Sequence, residues 1–113
     1  MPSDTRGRAH RRILNALEEL RAAYHDLFQQ PPATGTAHAA IARAVAVLAD
    51  VPSPYAIRTA PMVLRAAALT DRLPPAQLRL GILQISTELL GVTRDLTRNV
   101  TFEPEGTGGL ESP

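Results

Sequence analysis

The chain contains no cysteine, no tryptophan and no lysine. The first absence excludes disulfides, thiolate–zinc sites and a cysteine nucleophile. Aromatic residues are scarce: Tyr24, Phe28, Tyr55 and Phe102 are all there are. They offer little stacking surface to a ligand or a base. No uncharged run reaches the roughly 18 apolar residues that a membrane-spanning helix needs, and the chain does not open on a basic, then apolar, then small-residue secretory pattern. These absences predict a small cytoplasmic protein with no membrane segment.

What is present is mostly alanine and leucine, 18 and 15 of the 113 residues. All 12 cations are arginine. Codon bias toward Arg and Ala accounts for that preference, but the guanidinium fork still holds carboxylate or phosphate better than an ammonium does. The formal charge is +1, and it is unevenly spread. Arg6, Arg8, Arg11 and Arg12 crowd the start, while Glu103, Glu105 and Glu111 mark the end. A near-neutral body with two opposed charged extensions is the implied organisation. Residues 103–113 hold almost nothing to bury, which predicts a disordered acidic tail.

Four segments carry helical periodicity, punctuated by Pro31-Pro32, Pro52 with Pro54, and Pro74-Pro75. Proline lacks the amide proton and disfavours helix in the residue before it. No segment alternates with period two, so no strand is expected. The first helix is predicted over about 5–29, with Ile13, Leu17, Leu20, Tyr24 and Leu27 on its apolar stripe. The second is predicted over 36–51, capped by Thr36 and aligned on Ala37, Ile41, Ala44, Leu48 and Val51. It is so apolar that most of its surface should be covered. The third is predicted over 54–72, with Ser53 as cap, Pro54 in the first turn, and a break or strong kink at Pro61. Its apolar line is Met62, Ala66, Leu69 and Leu73. The fourth is predicted over 75–99 on Leu78, Ile82, Ile85, Leu89, Val92 and Leu96. Its interior glycines, Gly81 and Gly91, each cost about 1 kcal/mol of helix propensity, which points to tight packing around them. The fold class implied is all-α, an antiparallel four-helix bundle.

No catalytic constellation stands out. Glu18, Glu19, Asp26, Asp50, Asp71, Glu88 and Asp95 all fall on faces expected to be wet, and no glycine-rich phosphate loop is present. His10, His25 and His38 lack metal-ligand spacing. His38 has small neighbours but no flanking pattern for phosphotransfer. The Asn99-Val-Thr101 triplet fits a glycosylation acceptor and is given no role. No cofactor and no enzymatic activity are therefore expected.

Three surfaces remain. The segment from Arg6 to Arg12 is a basic cluster of the kind that neutralises phosphates. Arg58, Arg65 and Arg72 recur every seven residues, a possible basic ridge whose stems also cover the core edge. The fourth helix carries leucines it should not need for one core: Leu80, Leu83 and Leu90, with Thr87 among them, lie off its main stripe. Either the helix is central and covered by its three neighbours, or self-association buries them, the reading favoured because all four helices of a simple bundle are peripheral. The reading favoured is a non-catalytic interaction module that forms a homo-oligomer through Leu80, Leu83, Thr87 and Leu90 and binds a protein partner. A nucleic-acid-associated regulator using Arg6, Arg8, Arg11 and Arg12 is the first alternative. An apolar small-molecule binder in the bundle interior is the second. A helix-turn-helix reader fits poorly, because the helix after Pro74-Pro75 is long and apolar.

Overall fold

The computed structural model describes residues 2–102, and the predicted tail at 103–113 lies outside the described residues. The described residues form four helices and no strand: α1 (Pro2–Asp26), α2 (Thr34–Ala49), α3 (Ala56–Ala68) and α4 (Pro75–Phe102). α1 packs on α2 and α4, and α3 packs on α2 and α4, which closes a ring. The body measures 55 × 22 × 17 Å, close to two helix diameters across.

Cross-helix contacts fix the directions. Arg12 meets Asp50 at 2.9 Å and, one heptad on, Glu19 meets Arg43 at 3.0 Å, so α1 and α2 run antiparallel. Arg58 meets Asp95 at 2.8 Å and Arg65 grips Glu88, so α3 and α4 do too. His10 lies beside Thr97, while Arg79 reaches the Leu27 carbonyl, which sets α1 antiparallel to α4. With short turns throughout, this is the antiparallel bundle expected from the sequence.

α1, α2 and α3 end before their predicted bounds for one shared reason, whereas α4 runs on past the predicted Asn99 to Phe102. The chains of hydrogen bonds at the ends of α1, α2 and α3 tighten from i−4 to i−3 partners. Examples are Phe28 N–H to His25 O at 3.0 Å, Val51 N–H to Leu48 O at 3.2 Å, and Thr70 N–H to Ala67 O at 3.1 Å. Apolar periodicity persists through such a turn although the α-helix has ended. At the starts, the Ala37 amide already bonds the Ala33 carbonyl at 3.0 Å, so α2 begins ahead of Thr36, and no side chain caps it. Ser53 does not cap α3 either. The Tyr55 amide donates to the Pro52 carbonyl at 3.0 Å, forming a turn that delays the helix to Ala56.

Pro61 does not break α3, which continues from Ala56 to Ala68. Pro61 and Ile57 are both exposed. The proline thus lies on the outer face of α3, where the Ile57 carbonyl, deprived of its helical donor, is nearest to solvent.

The core is one continuous cluster. α4 contributes Leu78, Ile82, Ile85, Leu89, Val92 and Leu96, as its spacing required. On α1 the buried line is Ala9, Ile13, Ala16, Leu20, Ala23 and Leu27; Leu17 and Tyr24 stand half-buried beside it. The true stripe is rotated toward alanines, which let the neighbouring helices approach closely. On α3, Thr59 joins Met62, Ala66 and Leu69 in the core, and its hydroxyl donates to the Ala56 carbonyl at 3.2 Å. That bond satisfies the one buried polar side chain of the described core.

α2 is not covered as its composition suggested. It touches only α1 and α3 closely, and Ala39, Ala42, Ala46 and Ala49 remain exposed on its outer side. In a ring of four helices each element keeps one outer face, however apolar its sequence.

Candidate functional site: the outer face of α4 and the arginine clusters

α4 carries two opposed stripes. The core stripe faces inward. Opposite it lie Ala76, Leu80, Leu83, Thr87 and Leu90, all exposed and spaced 4, 3, 4, 3. Leu80, Leu83 and Leu90 are 57, 47 and 52% exposed. Nothing in the described chain covers them. Between Ala76 and Gly91 the only charged residues of α4 are Arg79 and Glu88, and both are turned toward neighbouring helices. Arg79 donates to the Leu27 carbonyl at 3.3 Å and stacks 4.8 Å from the Phe28 ring centroid. It thereby places a cation at the negative end of α1. Glu88 is held by Arg65 on α3. The outer face is thus free of charge over about 24 Å of helix.

Thr87, at the middle of this face, donates its hydroxyl to the Leu83 carbonyl at 2.8 Å. Its polar atom is already partnered within the helix. Covering Thr87 would strip water from a satisfied group and leave its methyl as the contact surface.

A separate apolar patch stands on α3, where Ile57 and Leu64 are 79 and 73% exposed, with the exposed Arg58–Asp95 and Arg65–Glu88 pairs on the seam between α3 and α4. The Arg65–Glu88 pair sets Leu64 nearly level with Leu90. The sequence reading did not include this part. Its trace in the sequence was Ile57, Pro61, Leu64 and Ala68, a second apolar line opposite Met62 and Ala66.

The predicted basic surface is divided by the fold. Arg58 and Arg65 are not a free ridge: their guanidinium groups are spent on Asp95 and Glu88. Arg65 binds its carboxylate with two nitrogens, Nη1 reaching Oε2 at 2.6 Å, the fork geometry that arginine favours. Asp95 is held below the usual carboxylate range by the hydrogen bond from Arg58, with Arg94 and Arg98 adding positive potential. Glu88 is lowered in the same way by Arg65, and the Arg65 pKa is raised in return. These groups are exposed, so their energetic contribution is small. What they provide is register: only one alignment of α3 on α4 satisfies both pairs. The sequence contained that information in the matching heptads Arg58/Arg65 and Glu88/Asp95. Arg72 lies in the turn beyond α3 and makes no ion pair among the described residues.

The early arginines also part company. Arg6 turns toward α3 and donates to the Tyr55 hydroxyl at 3.3 Å. With Gly7, His10, Leu96 and Thr97 it lines a hollow of about 170 Å³. Arg8, Arg11 and Arg12 point away from it, and with Asn15 they line a separate open hollow of about 200 Å³. These residues are helical, part of α1 and not an extended arm.

Among the described residues no three His, Asp or Glu side chains gather as a metal site would require, and no helix is long and apolar enough to cross a membrane. No protein-family model, curated protein or solved structure matches the chain.

Proposed function

We propose that this chain is a non-catalytic, cytoplasmic interaction module that self-associates through the outer face of α4. The observation that carries the reading is the exposed, charge-free stripe of Leu80, Leu83, Thr87 and Leu90. A soluble monomer has little reason to present such a stripe to water.

The occupant proposed is a second copy, because the stripe is complementary to itself. Two α4 helices packed antiparallel about a dyad beside Thr87 would set Leu83 of each against Leu90 of the other. Leu80 would then meet the aliphatic stem of the copy's Arg94, whose head would remain in water. No like charges would meet at the centre. The non-catalytic part of the reading is supported by the commitment of Glu19, Asp50, Glu88 and Asp95 to surface ion pairs.

Leu83→Glu with Leu90→Glu tests the proposal. A half-exposed leucine gains about 1 kcal/mol on full burial, so the four leucines lost from a dimer amount to about 4 kcal/mol. That is roughly a thousandfold in dissociation constant. Light scattering on a sizing column should show the wild-type chain as a dimer and the variant as a monomer with unchanged helix content. An unchanged oligomeric mass would refute the interface.

A further inference from the structure

Four of the twelve arginines are neutralised by a carboxylate, and those left without one include a group on α1. Arg12, Arg43, Arg58 and Arg65 each have a carboxylate partner, Arg6 has the Tyr55 hydroxyl, and Arg79 has the Leu27 carbonyl with the Phe28 ring. Arg8 and Arg11 make no ion pair among the described residues. They flank Arg12, and the three occupy positions i, i+3 and i+4 of α1 with Asn15 at i+7. Like charges at these spacings repel along a helix face. An anion would relieve that repulsion.

The shape of the surface narrows the anion. Arg8, Arg11, Arg12 and Asn15 line the hollow of about 200 Å³. Arg8 and Arg12 also line a second, adjoining hollow of about 340 Å³, closed on its far side by Ala49, Val51, Pro52 and Asp50, whose carboxylate is paired with Arg12 at 2.9 Å. Two open hollows thus share two guanidinium groups along about 10 Å of helix. The forked donors of arginine suit phosphate oxygens, and Asn15 adds an amide donor. Neither hollow is lined by an aromatic residue. Tyr24 and Phe28 pack against each other toward the other end of α1, and Tyr55 is held by Arg6. A base would find no ring to stack on, so the site suits the backbone of a strand better than a single nucleotide.

We propose that Arg8, Arg11 and Arg12, with Asn15, form a phosphate-binding site that engages successive phosphates of a nucleic-acid backbone without reading its sequence. Arg12 exchanges part of its contact with Asp50 for the ligand. Arg6, which the sequence groups with these residues, and Arg58 and Arg65 of the seven-residue pattern take no part. The site stands on α1 and does not depend on self-association through α4.

The test is fluorescence anisotropy of a short labelled DNA duplex titrated with the full chain at about 50 and about 200 mM salt. Three neutralised phosphates predict a log–log salt slope near −2.7, hence about 40-fold weaker binding at the higher salt. Arg8→Gln with Arg11→Gln should cut the slope to about −1 and weaken low-salt binding by about tenfold or more. Arg21→Gln with Arg72→Gln removes the same charge from exposed arginines elsewhere and should leave binding near wild type. Both double variants should keep the wild-type helical circular dichroism, since all four side chains are exposed. No binding at the lower salt would overturn the proposal. So would equal weakening by the two double variants, which would reduce the effect to net charge.

Discussion

Gly81 and Gly91 sit in the same helix, yet a methyl added to each should act in opposite directions. At Gly81 a Cβ would stand 2.5 Å from Leu69 Cδ2 and 3.3 Å from Cδ1. At Gly91 it would meet nothing within 4 Å. Both Gly→Ala changes gain about 0.5–1 kcal/mol of helix propensity. Only Gly81→Ala adds an overpacking cost, about 1–3 kcal/mol when a core side chain must move. Leu69 is 8% exposed and wedged between α3 and α4, so its displacement is resisted. Gly91→Ala should therefore raise the melting temperature, with 1 kcal/mol worth about 4–8 °C in a domain of this size. Gly81→Ala should leave it unchanged or lower it. Thermal denaturation by circular dichroism at one protein concentration would measure both. The decisive arm is the Leu69→Ala background. With the leucine branch gone, Gly81→Ala should become stabilising by about as much as Gly91→Ala is in the wild type. If Gly81→Ala destabilises equally in both backgrounds, the account of how α3 seats on α4 is wrong.

Further outcomes follow from the ion pairs and the α4 face. Glu88 and Asp95 are held below their ordinary pKa in the fold, so their contribution is complete above their unfolded values near about pH 4 and is lost as pH falls through the folded ones. Glu88→Gln with Asp95→Asn should therefore flatten the fall in melting temperature below about pH 5. Identical acid limbs in variant and wild type would remove these pairs from the stability account. Because the chain has no cysteine, Thr87→Cys introduces a single thiol beside the proposed dyad. It should oxidise to a disulfide-linked dimer that runs at double mass without reductant, whereas a cysteine placed at Ala22, on the far side of α1, should not. Equal cross-linking at both positions would indicate random collision.

The architecture was legible where large aliphatic residues carried the pattern. The six core positions of α4 keep an unbroken spacing, and all six are buried. α1 was read with its stripe turned toward Leu17 and Tyr24, because side-chain size dominates a periodicity argument while the fold buries Ala9, Ala16 and Ala23 for closeness of approach. α3 was read too long, since Leu69 and Leu73 continue the apolar line after the hydrogen bonds have tightened into a turn. The surplus leucines of α4 were visible because one helix held two apolar stripes. The fate of the arginines was not. Whether Arg58 is a free cation or a register pin depends on Asp95, 37 residues away, and becomes visible only once α3 and α4 are aligned. Arg6 could not be separated from Arg8 and Arg11 for the same reason: its bond to the Tyr55 hydroxyl is made 49 residues away.

The central claim is that the outer face of α4 is an interface between copies. Sedimentation equilibrium of the unaltered chain over a dilution series tests it most directly. The account predicts a species of twice the 12.1 kDa chain mass at tens of micromolar, dissociating reversibly as the sample is diluted. A chain that stays at its single mass across the whole series would contradict it.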